Sequence, residues 1–442
     1  MTAGPQGSRR VAITGIGLVS PLGSQLNAFW DALAEGRSGV GILKSIPAGA
    51  LPMPFGAEAW EFSGSIEDFG DLPSEQKKPI RKGLKVMCRE CQMGVAAAQR
   101  AMSDAAWNEP AIAPERVGIV FGSDYMLTSP DEFAAGIEQC SSDGTFHFEQ
   151  WGDQGLSKMS PLWLLKYLPN MPACHVAIYN DLRGPNNSLT LREASANAAI
   201  GEAYRTILRG AADMMIAGAT GTRIHPMKTV HAVQTEELAP AGGEPNDACR
   251  PFDRDRQGTV LGEGAGAVVL EDLELARARG AKIYGEIVAA ASSSVSDRHR
   301  VAHRQQALRN VLVAALEKAG MSPHEVGHVN AHAQGSRSVD RDEAAAIVEV
   351  FGNGASRVPV TSAKSFFGNL GAGSGAVELL ASLLALQHGE LFRTLNYATP
   401  DPECPVSVVR ERGVSPGDSF FNLSVTPQGQ ASSLLIRVAD AA

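Results

Sequence analysis

Residues 184–214, GPNNSLTLREASANAAIGEAYRTILRGAADM, are the stretch that decides the fold of this chain. The run 188–191 has the composition of a short strand, and from Ile200 onward apolar side chains recur at helical spacing. This pattern predicts a strand, a sharp turn and a helix. Such a turn presents one side chain at the N-terminus of the helix, where unpaired backbone N–H groups favour an anion or a developing oxyanion. That side chain is Glu193.

Length and composition limit the class of protein. A chain of 442 residues is too long for one ordinary core and predicts two domains or two fused halves. Hydrophobic residues make up 44% and charged residues 20%, as in a globular protein. No apolar run approaches the roughly 20 residues that span a bilayer, and the first ten residues lack the apolar core of a signal peptide. We therefore expect a cytoplasmic protein without membrane insertion.

The charged residues and cysteines exclude further classes. A formal net charge of -9 argues against nucleic acid as a partner, because phosphate binding needs a basic face. One basic run could steer a small acidic partner, although such a run is more often a solvated helix face. It consists of Lys77, Lys78, Arg81, Lys82, Lys85 and Arg89. Cys88 and Cys91 lie in an amphipathic pattern without a second Cys/His pair, so we expect core packing and no metal site.

Strand patterns alternate with helix patterns along the rest of the chain. We expect strands at 10–20, 117–121, 174–179, 214–219, 262–271, 283–291, 326–331, 419–425 and 432–438. We expect helices at 27–35, 86–106, 273–279, 304–319, 342–351 and 376–387. Residues 40–75, 125–172 and 220–258 have an irregular pattern, and the second of these segments is rich in aromatics and suited to cover a pocket or a subunit contact. The alternation predicts an α/β protein whose halves are residues 1–250 and 251–442.

Six segments, in order along nearly the whole chain, resemble the β-ketoacyl-acyl carrier protein synthases. They are RRVAITGIGLVSPLG at 9–23, PNMPACHVAIYNDLRGPNNS at 169–188, IGEAYRTILRGAADMMIAGAT at 200–220, CRPFDRDRQGTVLGEGAGAVVLEDLELARARGAKIYGEI at 249–287, NAH at 330–332, and AKSFFGNLGAGSGAVELL at 363–380. The resemblance is greatest to type II elongating synthases and to ketosynthase and chain-length-factor subunits of polyketide pathways. It implies a thiolase-like fold of two pseudo-duplicated α/β halves in five layers, usually dimeric, as a homodimer or as a heterodimer with a ketosynthase subunit.

The resemblance also implies substrates and a partner. In this family an acyl chain on a phosphopantetheine arm meets malonyl-carrier protein, so the arm belongs to acyl carrier protein and the chain needs no cofactor of its own. Within the basic run, the candidate docking residues for that carrier protein are Lys77, Lys78, Arg81, Lys82 and Lys85.

The nucleophile position is where this chain departs most from the family. The family's catalytic cysteine opens a helix, and counting back from Ile200 through Ser195 places it at Glu193. A carboxylate cannot carry an acyl group as a stable thioester, so the resemblance implies that the ordinary acyl transfer is absent.

The remaining candidate catalytic residues come from the second half of the chain. The first family histidine is His332 in the NAH segment, and the lysine of the Lys-Ser motif is Lys364. The second family histidine falls on Asn369, and in Cys-His-Asn synthases His and Asn together hold the thioester oxygen as it becomes an enolate. Asp340 and Glu343 match the family's polar support for the lysine and the histidine.

Two further motifs differ from the family pattern. The Gly-Thr-x-Thr that follows the first histidine is replaced by residues 333–336, AQGS. The glycine-rich gate near the C-terminus is replaced by residues 425–430, VTPQGQ, and its Pro427 should stiffen a loop that moves in the family.

Three functions remain open. In the first, Glu193, His332 and Asn369 act on acyl or malonyl thioesters without an acyl-enzyme, by decarboxylation, proton abstraction or hydrolysis. Decarboxylation requires a protonated Glu193, and its charge is open because burial raises a carboxyl pKa whereas Arg192 and a helix N-terminus lower it. In the second, the protein is a non-catalytic partner similar to a chain-length factor. In the third, the alignment at Glu193 is displaced and the protein is an ordinary 3-oxoacyl-ACP synthase II.

Each candidate residue also has a purely structural alternative. Glu193 would then only pair with Arg192 or another cation. His332 would be a packed core histidine, and Asn369 would cap a turn in the glycine-rich segment 368–371.

Overall fold

The computed structural model describes residues 9–47, 49, 51–106, 112–352 and 358–439. Its strands are β1 (Val11–Val19), β2 (Gly41–Ile42), β3 (Phe55–Gly56), β4 (Val117–Ser123), β5 (Ser141–Ser142), β6 (Thr145–Phe146), β7 (Asn186–Thr190), β8 (Met214–Thr222), β9 (Glu263–Asp272), β10 (Gly285–Ser294), β11 (His328–Asn330), β12 (Pro359–Thr361), β13 (Ser407–Val408), β14 (Ser419–Val425) and β15 (Gln430–Arg437). Its α-helices are α1 (Leu26–Glu35), α2 (Ser74–Gly83), α3 (Arg89–Asp104), α4 (Asp131–Gln139), α5 (Met171–Tyr179), α6 (Ser195–Leu208), α7 (Pro226–Thr235), α8 (Leu273–Ala278), α9 (Arg304–Ala319), α10 (Arg337–Phe351), α11 (Lys364–Phe367) and α12 (Ser374–His388).

One mixed sheet runs through the molecule. Among the described residues its strand order is β13-β12-β11-β14-β15-β10-β1-β9-β8-β4-β7. The two halves of the sheet join at its centre, where β1 pairs antiparallel with both β9 and β10. The long central strands are buried along nearly their whole length, which explains why they read as continuous apolar runs in the sequence.

The two halves of this sheet repeat one topology. In the first half β1, β4, β7, β8 and β9 lie in the order β7-β4-β8-β9-β1, and in the second half β10, β11, β12, β14 and β15 lie in the order β12-β11-β14-β15-β10. Corresponding strand pairs are parallel or antiparallel in the same way in both halves. The predicted pseudo-duplication is therefore confirmed.

The two halves of the sheet form two of five layers, and helices form the other three. Helix α3 packs on the outer face of the first half, and α9 packs at the equivalent place on the second half. Helices α6 and α12 lie between the two halves and contact each other. The predicted thiolase-like, five-layer α/β fold is confirmed, with the two central helices at its middle.

A glycine in β1 shows how closely the layers approach. A Cβ on Gly17 would lie 2.3 Å from the carbonyl oxygen of Ala97 in α3. Only a residue without a side chain lets the helix backbone rest on the strand at this distance.

Each central helix begins with the same turn. In the first half Ser195 Oγ accepts a hydrogen bond of 2.8 Å from the N–H of Leu191, and in the second half Ser374 Oγ accepts one of 2.8 Å from the N–H of Leu370. The residue after each leucine has a left-handed backbone, with φ +50° at Arg192 and +63° at Gly371. The two turns lie against each other, so the start of both helices meets at the centre of the molecule.

Some sequence-based assignments were wrong. Residues 174–179, predicted as a strand, belong to helix α5, because Pro172 in the first helical turn favours a helix start and a short apolar run alone does not distinguish strand from helix. The segment 220–258, predicted as irregular, contains helix α7, which begins at Pro226. The segment 125–172 contains helix α4.

The topological repeat passes from its first to its second copy between β9 and β10. The predicted division at residue 250 lies before β9, so it does not coincide with the repeat and stays a prediction about compact units. Among the residues that the structure describes, none of the helices combines the length and the apolar character that crossing a bilayer requires.

Candidate functional site

Glu193 lies in the turn between β7 and α6, as the sequence predicted. Its side chain is only 1% exposed. The turn is fixed by Ser195, whose hydroxyl donates to the carbonyl of Ser123 over 2.9 Å while it accepts from Leu191. The left-handed backbone at Arg192, uncommon for a residue with a side chain, aims Glu193 into the centre of the protein.

Two arginines and a second glutamate surround Glu193. Arg223 Nη1 donates to Glu193 Oε1 over 2.8 Å, and Arg192 Nη2 lies 3.4 Å from the same oxygen. Glu236 Oε1 accepts from Arg192 Nη2 over 2.7 Å and also from Arg223 Nη2. We call Arg192, Glu193, Arg223 and Glu236 the charge cluster. Its two positive and two negative charges balance, which is the usual condition for burying ions in a protein.

The charge cluster settles the protonation of Glu193. Burial raises the pKa of this carboxyl group, but the nearby Arg192 and Arg223 guanidiniums lower it more, and the resulting pKa falls from 4.5 to about 2. Glu193 is therefore a carboxylate at neutral pH.

Asn369 meets Glu193 from the second half of the chain. Its Nδ2 donates to Glu193 Oε1 over 3.2 Å and to Gln334 Oε1 over 2.8 Å. Its Oδ1 accepts from the N–H of Gly371 over 2.8 Å. Because a side-chain amide has two N–H groups, both donors of Asn369 are already used within the protein.

His332 and Lys364 form a second buried group beside Asn369. Lys364 Nζ lies 3.3 Å from His332 Nδ1 and 2.5 Å from Glu378 Oε1, and the side chains of Lys364 and Glu378 are fully buried. Burial, followed by the charge of Lys364, lowers the pKa of His332 well below its ordinary value. The histidine is therefore neutral, and since Lys364 can only donate, the imidazole proton is assigned to Nε2.

Asp340 and Glu343 hold the backbone that carries His332. Glu343 accepts from the N–H groups of His332 and Ala333, each over 2.7 Å. Asp340 accepts from the N–H groups of Gln334 over 2.9 Å, Gly335 over 3.1 Å and Phe252 over 2.9 Å. Burial raises the pKa of Asp340 to about 6 and that of Glu343 to about 8. The two acids thus fix the loop rather than face a substrate.

The segment 425–430 forms a tight hairpin turn between β14 and β15. The N–H of Gly429 donates to the carbonyl of Thr426 over 3.0 Å, and the N–H of Thr426 donates to the carbonyl of Gln430 over 2.9 Å. Pro427 occupies the second position of the turn, and Gly429 has φ +81°. This is a three-residue loop with a left-handed glycine, a common and well-defined hairpin connection.

Two protein-family models match this chain. The model "Beta-ketoacyl synthase, N-terminal domain" matches residues 8–276, and "Beta-ketoacyl synthase, C-terminal domain" matches residues 284–398. The chain belongs to the β-ketoacyl synthase family. The family predicted from the sequence motifs is confirmed.

Two individual β-ketoacyl synthases are similar in sequence to this chain over most of their length. The 3-oxoacyl-[acyl-carrier-protein] synthase 2 of Synechocystis sp. is 33% identical over 404 residues, which cover 91% of each chain. The synthase of the same name from Staphylococcus aureus strain COL is 31% identical over 405 residues, again with 91% of each chain covered.

Solved β-ketoacyl synthase structures superpose on nearly the whole chain. A synthase from Burkholderia phymatum STM815 has a TM-score of 0.84 at 27% identity, and the ishigamide ketosynthase/chain length factor has a TM-score of 0.82 at 26% identity. A type II PKS ketosynthase in complex with its acyl-carrier protein has a TM-score of 0.81 at 26% identity. Each match covers 98% of this chain and 100% of the other.

The basic run lies on the surface of this β-ketoacyl synthase fold. Helix α2 and the turn after it carry the five predicted docking residues, of which Lys77 is half-buried and the others are exposed. Arg89, the last residue of the basic run, lies in α3 instead, and its guanidinium pairs with the buried Glu263 over 2.7 Å.

Sequence reasoning missed three residues of this β-ketoacyl synthase site. Arg223 follows the end of β8, and Glu236 follows α7 in the segment predicted as irregular. Gln334 was noted only as a departure from a motif, not as a partner of Asn369. A charged residue directly after the buried strand β8 was the one signal that could have revealed Arg223.

Proposed function

We propose that this member of the β-ketoacyl synthase family takes part in acyl-carrier-protein-dependent fatty-acid or polyketide synthesis without catalysing condensation itself. The relatives named 3-oxoacyl-[acyl-carrier-protein] synthase support the pathway class. The loss of condensation is supported by Glu193, which stands where the family resemblance expects the nucleophilic cysteine and cannot form a stable thioester.

The observation that carries this proposal is the charge cluster together with Asn369. Condensation and decarboxylation both need free donors aimed at the thioester oxygen as it gains negative charge. Both amide N–H groups of Asn369 are bound to Glu193 and Gln334 instead. The buried carboxylate and its arginines therefore occupy the centre where an acyl thioester would have to bind.

Malonyl decarboxylation is the least favoured of the non-condensing reactions. It requires a neutral side chain beside the malonyl carboxylate, whereas the pKa of about 2 keeps Glu193 ionised. A malonyl carboxylate placed beside the Glu193 carboxylate in a buried site would be repelled by it.

A role as the non-catalytic subunit of a ketosynthase dimer fits the surface of the protein. Strand β7 is the outermost strand of the sheet at one end, and an unpaired strand edge is a common dimer contact. Seven of the fourteen large apolar residues that are exposed in the described chain fall within residues 137–178. Helix α5, at the end of that segment, packs against β7. A chain-length-factor-like partner needs such a surface, and it does not need a working nucleophile.

A specific observation favours a second candidate, a reaction without an acyl-enzyme. Glu193 Oε2 has no hydrogen-bond partner within the described protein, although it is buried. An ionised carboxylate with a free oxygen could abstract a proton from a bound thioester or activate a water molecule.

The two candidates are separated by incubating the purified protein with acyl- and malonyl-carrier protein and following all products by mass spectrometry. The partner role predicts no turnover by the wild type; malonyl decarboxylation that appears in Glu193→Gln alone would reflect its neutral side chain and not an activity of the wild type. The second candidate predicts a slow product that disappears in Glu193→Gln, while Asp181→Asn, an exposed carboxylate outside the site, retains it.

Two further measurements complete the test. A covalent acyl adduct on the wild-type protein would show that the chain is an ordinary 3-oxoacyl-ACP synthase II and that the assignment at Glu193 is wrong. Affinity purification from the native host, followed by mass spectrometry, separates a homodimer from a heterodimer with a second ketosynthase subunit.

A further inference from the structure

A surface cleft outside the charge cluster collects three arginines. Its volume is about 580 Å³, and its walls come from the end of α1, from the loop before Cys249 and from residues 393–398. Arg37, Arg393 and Arg410 line it, and all three are exposed. We call it the arginine cleft.

The charges in the arginine cleft are not balanced. Asp247 is the one aspartate among its lining residues, against three guanidiniums. Arg37 pairs with Glu35 over 2.7 Å. No carboxylate of the described residues lies within ion-pair distance of Arg393 or Arg410. On a chain with a net charge of -9, such a local positive excess favours an anionic ligand.

The walls of the arginine cleft are held by hydrogen bonds. The Asn396 side chain donates to the carbonyls of Asn246 over 2.8 Å and Cys249 over 2.9 Å, which ties two walls together. Thr394 Oγ1 accepts from the N–H of Ser362 over 3.1 Å, which anchors the cleft floor to the segment just before Lys364. A cleft fixed in this way does not need to form when a ligand binds, so less entropy is lost on binding.

Two of the arginine side chains are also held in place. The Arg410 guanidinium lies over the ring of Tyr397, 4.7 Å from its centroid. Arg393 rests on Gly36, where a Cβ would lie 2.3 Å from Nη2. Gly36 has φ +77° and ends α1, a conformation that favours glycine, and a side chain there would displace the Arg393 guanidinium.

We propose that the arginine cleft binds a small molecule that carries a diphosphate group. Planar guanidiniums bind phosphate oxygens in a two-point manner, and each of the two in the arginine cleft that form no ion pair in the described chain can take one phosphate. The volume lies in the range of small-molecule sites, and the concave shape admits a metabolite rather than the convex surface of a carrier protein. This inference does not depend on the proposed function, because none of its residues belongs to the charge cluster.

Isothermal titration calorimetry of the full chain at constant ionic strength tests the proposal, with sodium pyrophosphate in one arm and ADP in the other. We expect saturable binding that Arg393→Gln and Arg410→Gln each weaken about tenfold or more. Arg209→Gln, at an exposed arginine directly after α6, is the matched control and should leave the affinity unchanged. Tighter binding of ADP than of pyrophosphate would indicate a nucleotide, and equal binding would indicate the diphosphate group alone.

The proposal is overturned if neither probe gives saturable heat with the wild type. It is also overturned if Arg393→Gln and Arg410→Gln change the affinity no more than Arg209→Gln does. Arg393→Lys guards against a folding defect, because it keeps the positive charge and should retain part of the affinity in a chain with wild-type thermal stability.

Discussion

Glu193 and Arg223 are a buried ion pair, and each is costly to bury without the other. Arg223→Ala removes the guanidinium that lies 2.8 Å from Glu193 Oε1 and leaves Glu236 with one arginine fewer. We expect the free energy of unfolding to fall by about 3 to 5 kcal/mol, because the variant keeps an uncompensated buried carboxylate. Urea unfolding followed by circular dichroism measures the change.

An exposed ion pair provides the control for this variant. Arg183 pairs with Asp181 over 2.9 Å on the surface, and Arg183→Ala should cost less than about 1 kcal/mol. If Arg223→Ala cost no more than Arg183→Ala, the charge cluster would not be a stabilising unit.

The lowered pKa of Glu193 predicts a specific dependence of stability on pH. A folded-state pKa of about 2, against 4.5 for an ordinary glutamate, means that the carboxylate stabilises the fold above about pH 4.5 and loses this contribution as the pH falls towards 2. The difference in unfolding free energy between wild type and Glu193→Gln should therefore shrink by about 2 to 3 kcal/mol between about pH 5 and about pH 2. Urea unfolding of both proteins at each pH gives that difference, and one that stays flat or grows in acid would contradict the prediction.

Much of the site's composition could be predicted from the sequence, but not its electrostatics. The motifs placed Glu193, His332, Lys364 and Asn369 in one site. The structure pairs Glu193 with Asn369 and His332 with Lys364, and the charge of Glu193 acts on the pKa of His332. The charge of Glu193 remained open, because it depends on Arg223, which lies thirty positions away along the chain in a different element. Pairings of this kind are set by tertiary packing and leave no periodic trace in the sequence.

The hairpin between β14 and β15 occupies the place where the family resemblance implies a mobile gate. Gly429→Ala places a Cβ 2.8 Å from the carbonyl oxygen of Val295 at a φ of +81°, so we expect a loss of about 1 to 2 kcal/mol in unfolding free energy. Gly152→Ala is the control, because a Cβ there meets nothing within 4 Å. Thermal unfolding compares the two, and equal melting temperatures would show that the turn tolerates a side chain at this position.

Helix α2 offers a test of the carrier-protein surface. We expect the triple variant Lys78→Glu, Arg81→Glu and Lys82→Glu to weaken binding of acyl carrier protein at least tenfold at low salt, because opposite charges steer and hold such partners. The loss should shrink as salt is added. Surface plasmon resonance measures it, with Lys158→Glu as an exposed control outside α2. Unchanged affinity of the triple variant would exclude α2 as the docking site.

The sequence predicted the type of an element, helix or strand, well in long apolar runs and poorly in short ones. Helix α9 was predicted with its observed bounds, since its sixteen residues give several turns of periodicity. Helix α5 was mistaken for a strand because its nine residues are predominantly apolar on every side. Short elements of this kind show no polar face from which their period could be determined.

The sheet of the whole molecule ends, on the side of the first half, at the edge of β7. If this edge forms a dimer, light scattering should give twice the mass of one chain. Ile178→Asp, on the helix that packs against β7, should then shift the protein to a monomer, because it places a charge in an apolar contact. Val301→Asp, another exposed apolar residue in the second half, should leave the dimer intact. A dimer that survives Ile178→Asp would place the contact elsewhere.

The two halves were foreseeable from the alternation of strands and helices, whereas their strand order was not. Alternation fixes the layers, because each element must cover the next. The order depends on which strand edges pair, and that choice involves residues far apart in the chain, such as Val11 of β1 and Ile287 of β10.

The same turn starts α6 and α12, but its left-handed position is Arg192 in the first half and Gly371 in the second. At Gly371 the left-handed backbone carries no strain, whereas the same conformation at Arg192 costs of order 1 kcal/mol or more. The molecule thus contains one turn motif twice, without backbone strain before α12 and with backbone strain before α6. The strain falls on the residue whose guanidinium joins Glu193 to Glu236, so only the half that contains the charge cluster carries this backbone strain.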